Sequence, residues 1–182
     1  AKQDGAKGIN IAGICCTSNE ILMRHGIPVA GNFLQQELAI LTGAVDLMMV
    51  DVQCLMPALS TMANCFHTKL VTTSPKCRYP QVEHIEFKAE KAYEIAKNIL
   101  KLAIGNYKNR NKDRVVIPRE NENLVAGFTA ESVFSFLGGR YRATYRPLND
   151  AIIAGRLRGA AGVVGCNNPN VKHNYAHVEM TK

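Results

Sequence analysis

The sequence lacks the features that mark membrane proteins and disordered chains. Its 182 residues contain no apolar run near the roughly 20 residues that a membrane-spanning helix needs. The first residues lead only to a short apolar stretch at 9–16, which has the length of a strand and does not resemble a signal peptide. Because 47% of the residues are hydrophobic and 20% are charged, we predict a globular chain with a real core.

Several short metal and cofactor motifs are also absent. No Cys-x-x-Cys occurs, so a zinc ribbon or a thioredoxin-like site is not expected. Cysteine fills only 6 of 182 positions, which predicts reduced thiols in the cytoplasm instead of a disulfide scaffold. The first apolar run is not followed by Gly-x-Gly-x-x-Gly, so dinucleotide binding is disfavoured.

The net charge of +7 is concentrated in two windows, 106–119 and 138–158. Each window holds five Lys or Arg residues against one Asp. Neither contains a basic helix with interleaved aromatic residues or a nucleic-acid-binding motif, so we interpret both as solvated faces and expect no nucleic-acid partner.

Strand-length apolar runs alternate with helical patterns, which predicts an α/β fold. We expect a Rossmann-like parallel-sheet domain at 1–118, followed by the first part of a second Rossmann-like domain at 119–182, with a polar interdomain linker at 106–123. The predicted strands are 9–14, 27–30, 45–51, 69–73, 84–87, 124–128 and 160–165. The predicted helices are 19–25, 32–41, 57–66, 88–107, a helix from 129, 147–157 and 175–180. Because the second domain has only two strands, we expect the chain to be a piece of a longer one.

Three of the six cysteines follow predicted strands: Cys16, Cys54 and Cys166. Ligands of open α/β sheets collect outside the carboxyl ends of the strands, so these thiols could converge on one site. Thiolates on separate loops suit an iron–sulfur cluster or another thiolate metal site. For Cys15, Cys65 and Cys77 we expect packing or inert thiols, which leaves these three cysteines without an assigned role.

The sequence around these cysteines resembles the catalytic subunit of the anaerobic, nickel-containing carbon monoxide dehydrogenases. The resemblance is collinear over essentially the whole chain, and segments 7–28, 36–44, 50–57 and 165–168 carry it. The most specific motifs in these segments are Gly13-Ile14-Cys15-Cys16, Gln53-Cys54 and Gly165-Cys166-Asn167-Asn168.

The resemblance implies oxidation of CO with water to CO2, two protons and two electrons at a nickel–iron–sulfur cluster, the C-cluster. It implies that Cys16 binds the iron outside the cubane and that Cys54 and Cys166 bind cubane irons. It also implies further [4Fe–4S] clusters in the parent enzyme outside this segment, a ferredoxin-like electron acceptor, a homodimeric parent enzyme and an optional acetyl-CoA synthase partner.

Other parts of that site lie outside the chain, including a further histidine and two further cysteines of the family's ligand set. We therefore expect the isolated 182 residues to be inactive, and we assign no catalytic side chain. We expect His25, which ends a predicted helix, either to have a structural role or to support the metal ligands without binding the metal, and His173 and His177 to be surface residues. Two alternatives remain open: a hybrid-cluster or hydroxylamine-reductase-like protein, and a scaffold homologue that has lost catalysis.

Overall fold

The first part of the chain is built around parallel strands in the computed structural model. The structure describes residues 1–52, 54–121, 129–137, 144–166, 170–172 and 174–182. The chain divides into two compact units, Ala1–Glu120 and Asn121–Lys182. The described residues contain no helix that is both long enough and apolar enough to cross a membrane.

The first unit contains two parallel sheets. One pairs β1 with β2, and the other has the order β3-β4-β5 with Leu47 opposite Lys69. Each of the five strands predicted in this unit overlaps an observed one, which confirms the α/β prediction, but most of the observed strands are shorter. The difference in length is largest for β1, because its neighbour β2 has only three residues with which it can pair. The strands are β1 (Gly13–Ile14), β2 (Val29–Gly31), β3 (Leu47–Val50), β4 (Lys69–Thr72) and β5 (Glu83–His84).

Four α-helices complete the first unit, each near a predicted helix. The predicted start at residue 32 is confirmed, because Asn32 accepts from the Leu34 amide at 3.1 Å and Gln35 accepts from the Asn32 amide at 2.8 Å. These two bonds form a capping box, which satisfies amides that a helix start leaves without partners. The helices are α1 (Cys15–Glu20), α2 (Gln36–Leu41), α3 (Leu59–Asn64) and α4 (Ala92–Asn106), with 3-10 turns at Lys2–Asp4, Leu22–His25, Phe33–Gln35, Ala89–Lys91, Tyr107–Asn109 and Lys112–Arg114.

The core lies between the larger sheet and helices α2 and α3. Met48 and Val50 project from one face of β3, because alternate residues of a strand share a face. Met49 lies on the opposite face and lines a cavity of about 350 Å³ together with residues of α4. The larger sheet is therefore covered by helices on both faces, as parallel sheets generally are. The buried residues of this cluster are Ile40, Val50, Leu59, Ala63 and Leu70, and Val71 and Ile99 are buried as well.

Residues 106–116 are part of the first unit, so the predicted linker at 106–123 is wrong over this stretch. Arg110 reaches back to the Asp46 carboxylate with N···O distances of 2.6 and 3.0 Å. The Val116 amide donates to the carbonyl of Thr42 at 2.8 Å. The polar composition of this stretch reflects specific hydrogen bonds to the start of β3 and not a free connection.

The described part of the second unit contains three helices: α5 (Ala130–Leu137), α6 (Arg146–Ile153) and α7 (Tyr175–Thr181). All three overlap predicted helices. The strand predicted at 124–128 and the loop predicted at 138–140 lie outside the described residues. The strand predicted at 160–165 is wrong, since these residues form no strand. A strand needs a hydrogen-bonded neighbour, and apolar composition alone does not supply one.

Candidate metal centre

Cys16 lies in the first turn of α1, directly after β1. The turn packs closely on the strand, because a side-chain carbon at Gly13 would come within 2.8 Å of Leu22 and even closer to Ser18. Cys16 is exposed, and the neighbouring Thr17 donates from Oγ1 to Asp51 Oδ2 at 3.0 Å. Since Asp51 directly follows β3, this bond places the Cys16 turn beside the end of that strand.

Cys54 lies in the loop that follows β3, and the surrounding side chains fix this loop in several places. Asp51 Oδ1 accepts from the Val52 amide at 2.6 Å. The Cys77 thiol donates to the Val52 carbonyl. The Tyr79 hydroxyl donates to the Met56 carbonyl at 2.7 Å. Cys54 itself is exposed and has φ 56°, in the left-handed region that residues other than glycine rarely adopt.

Gln36, the first residue of α2, connects the two cysteine segments. Its Nε2 atom lies 3.3 Å from the Cys15 sulfur and 2.5 Å from the Cys54 carbonyl oxygen. Its Oε1 atom accepts from the Met56 amide at 3.1 Å. With 5% of its surface exposed, Gln36 is a buried polar residue whose side chain reaches three groups on two loops.

The described residues thus bring Cys16 and Cys54 to the same edge of the first unit, but they assemble no complete ligand set. No group of three or more His, Cys, Asp or Glu side chains suited to a metal ion occurs among them. What is present fits part of an iron–sulfur site, because both cysteines are exposed thiols just after strands, Cys16 in the first turn of α1 and Cys54 in a loop, and thiolates are the ligands such clusters use. A complete centre needs further ligands from elsewhere.

Cys166 lies in the second unit, where it is exposed and follows Gly165. The predicted surface position of His177 is wrong, because its ring is half-buried with a buried Nδ1 atom. Nε2 of His177 lies 3.7 Å from where a side-chain carbon at Gly165 would sit, so this histidine packs against the segment that leads to Cys166. His173 lies outside the described residues.

The remaining cysteines have distinct surroundings. The Cys15 sulfur faces the Gln36 amide, while Cys65 is exposed just after α3. Cys77 holds the Cys54 loop through its thiol, a role that the sequence alone did not suggest. His25 is the last residue of a 3-10 turn, which confirms its predicted position at a helix end. The next residue, Gly26, has a left-handed backbone, and its amide donates to the carbonyls of Leu22 and Met23.

Two further residues around the Cys54 loop were missed by sequence reasoning. Gln36 could have been found, since it lies four residues before Ile40 on the buried face of the predicted helix, and a polar residue there needs partners. Tyr79 gave no comparable signal. Burial, and then electrostatic repulsion from Cys77, raise the pKa of Tyr79 above its usual 10.0.

The fold and the cysteine positions define an α/β protein with thiol-bearing loops at the carboxyl edge of parallel strands. Residues 1–182 match the Prismane/CO dehydrogenase family. Carbon monoxide dehydrogenase 1 of Methanosarcina mazei is 53% identical over 182 residues, which is 100% of this chain and 28% of that protein. The chain belongs to the Prismane/CO dehydrogenase family and spans little more than a quarter of the length of the curated relatives it matches.

Solved structures agree with this assignment. The as-isolated, Ni-free carbon monoxide dehydrogenase of Thermococcus sp. AM4 superposes with a TM-score of 0.77 at 55% identity, over 97% of this chain and 27% of that one. A structure of acetyl-CoA synthase/carbon monoxide dehydrogenase, with NiZn[Fe4S4] and NiNi[Fe4S4] clusters in its alpha subunits, gives a TM-score of 0.77 at 43% identity, with the same coverage. These relatives are carbon monoxide dehydrogenases, so the hydroxylamine-reductase-like alternative is not favoured.

Proposed function

We propose that this chain is a segment of an anaerobic nickel–iron–sulfur carbon monoxide dehydrogenase and supplies Cys16, Cys54 and Cys166 to its C-cluster. The observation that carries the proposal is the placement of the Cys16 turn and the Cys54 loop beside each other at one edge of the first unit, joined by Gln36 and by the bond between Thr17 and Asp51. The identity to named carbon monoxide dehydrogenases supports it.

In this proposal the cluster, when bound, supplies a soft metal for CO and a Lewis-acid iron that makes water acidic. The chain's own contribution is to present thiolates from rigid loops. The Cys54 loop is anchored at its backbone carbonyls by Cys77, Tyr79 and Gln36, so the backbone that carries the Cys54 thiol would be held in place before any metal arrives.

The proposal extends to the surroundings of the site. Cytoplasmic location, a ferredoxin-like electron acceptor, a homodimeric parent enzyme and an association with acetyl-CoA synthase all belong to it, as do two Rossmann-like domains at 1–118 and 119–182. Three ligands of a larger set cannot enclose a cluster, so the isolated 182 residues should not oxidise CO.

The test is made in the full-length protein that contains this chain, prepared anaerobically. Cys54→Ala should lose most of the bound nickel and iron and nearly all CO-dependent reduction of methyl viologen, because a cubane iron loses its thiolate. Cys65→Ala is the matched control, since Cys65 is exposed and lies after α3, where it lines a cavity with His67 and Arg114. Unchanged metal content in Cys54→Ala would contradict the assignment, and a wild-type protein without nickel and iron would favour the scaffold alternative.

A further inference from the structure

The same Gln36 nitrogen that contacts Cys15 also contacts Cys54, and both cysteines have an unusual backbone. Cys15 has φ 60° and Cys54 has φ 56°, so each lies in the left-handed region. Such a conformation is costly for a residue with a side chain and persists where the surroundings hold it. The Nε2 atom lies 3.3 Å from the Cys15 sulfur and 2.5 Å from the Cys54 carbonyl oxygen.

We propose that Gln36 is a positioning residue for the metal centre, which holds the Cys16 turn and the Cys54 loop in register with one another. This inference rests on the proposed function and adds a residue that is not itself a ligand. Gln36 acts on Cys16 through the adjacent Cys15, and on Cys54 through the carbonyl of that residue.

An amide is suited to this position for a chemical reason. It offers two N–H donors and one carbonyl acceptor, and in Gln36 these reach Cys15, Cys54 and Met56. Glutamate keeps the acceptor for the Met56 amide but lacks the donors. Leucine keeps much of the volume and loses both kinds of hydrogen bond. Gln36→Glu therefore removes only the hydrogen bonds to the two cysteine segments, whereas Gln36→Leu also removes the acceptor for the Met56 amide.

A matched control is available next to Gln36. Gln35 is half-buried and uses its Oε1 atom to accept from the Asn32 amide at 2.8 Å. Gln35→Glu keeps that acceptor and introduces the same change of side chain one residue away. It should leave the cysteine segments unaffected.

The experiment uses the full-length protein with Gln36→Leu, Gln36→Glu and Gln35→Glu. Hydrogen exchange is followed in the metal-free protein over residues 51–56. Nickel and iron per chain and the electron paramagnetic resonance spectrum are measured after anaerobic loading. Thermal unfolding shows whether each variant is folded, and if Gln36→Leu does not fold, Gln36→Glu decides.

We expect the Met56 amide of Gln36→Leu to exchange at least about 10-fold faster than in the wild type, because its acceptor is gone. In Gln36→Glu that amide should stay protected. Both Gln36 variants should bind metal on the order of 10-fold more weakly and show an altered spectrum of the remaining cluster, as losses around metal ligands do. Gln35→Glu should match the wild type in both measurements.

Wild-type metal content together with a wild-type spectrum in either folded Gln36 variant would overturn the inference. Unchanged exchange over residues 51–56 in Gln36→Leu would overturn it as well. If the wild-type protein takes up no nickel or iron, the proposed function fails, and the exchange measurement alone still decides whether Gln36 holds the Cys54 loop.

Discussion

The ion pair between Arg110 and Asp46 should control whether residues 106–116 stay attached to the first unit. Both side chains are mostly covered, with 24% and 20% of their surfaces exposed. Arg110 also donates to the Ala44 carbonyl at 2.8 Å, and His67 contacts Asp46 Oδ1 at 2.9 Å. The Asn106 side chain donates to the Asp46 carbonyl at 2.7 Å, so α4 and the segment after it are anchored at the start of β3.

The substitution Arg110→Met keeps the apolar stem of the side chain and removes all three of its hydrogen bonds. Each hydrogen bond to a charged group contributes about 1.5–3 kcal/mol, and a covered carboxylate that loses its partner adds a desolvation cost. Because the pair is partly exposed and His67 still contacts Asp46, we expect a net loss of about 2 kcal/mol in the free energy of local opening. At about 1.4 kcal/mol per tenfold change, this corresponds to roughly 30-fold faster exchange.

Amide hydrogen exchange measures this effect where it should occur. The reporter is the Val116 amide, which donates to Thr42 only while the segment is attached. Lys108→Met is the control, because Lys108 is an exposed cation two residues before Arg110. Val116 exchange within about 3-fold of the wild-type rate in Arg110→Met would refute the reasoning, as would an equal increase in Lys108→Met.

Two further substitutions test packing and titration. Gly43→Ala should destabilise the first unit by more than about 1 kcal/mol, because Gly43 has φ +66° and the new carbon would lie 2.5 Å from the Arg114 carbonyl oxygen. Gly105→Ala should stabilise the unit by roughly 0.5–1 kcal/mol, because Gly105 lies inside α4 with nothing near the new carbon. Urea unfolding measures both changes, and two changes in the same direction would contradict the structure. Tyr79→Phe should lose about 1 kcal/mol of stability with its hydrogen bond to Met56. Since the pKa of Tyr79 is raised above 10.0, the stability that its hydrogen bond contributes should be complete below pH 10.0 and should decline as the pH rises through the folded-state pKa. Ultraviolet titration of the phenol in the folded protein measures this pKa, and a midpoint at or below 10.0 would contradict the prediction.

The strands of the first unit were predictable because largely apolar runs of four to seven residues between polar turns are typical of strands in an α/β chain. Their ends were less predictable, since a strand extends only as far as its neighbour pairs with it. β1 shows this, because the apolar run at 9–14 pairs with β2 only at Gly13 and Ile14. The same reason explains the error at 160–165, where suitable composition is not accompanied by a strand.

Composition misled the prediction where polar residues serve tertiary structure. Residues 106–119 have the Asn, Lys and Arg content of a linker, yet Asn106 and Arg110 are among the most connected residues of the first unit. Nothing local distinguishes an arginine that meets a carboxylate 64 positions earlier from one that faces solvent. Long-range hydrogen bonds of this kind cannot be derived from a window of sequence.

In the candidate site, too, the positions that follow from the strand topology were predictable, whereas the contacts of individual side chains were not. The rule that ligands gather at the carboxyl ends of parallel strands made Cys16, Cys54 and Cys166 candidates, and the family resemblance selected them as ligands. The choice of Cys16 over Cys15 followed the family resemblance, and it assumed an extended segment in which neighbours point in opposite directions. Both residues instead belong to α1, and Cys15 has a left-handed φ of 60°. The distinction between them comes instead from Gln36, whose amide engages the half-buried Cys15 sulfur while Cys16 is exposed. In the proposal above, Gln36 positions the Cys16 turn through this hydrogen bond to Cys15, which makes Gln36 as informative a position to mutate as Cys16 itself.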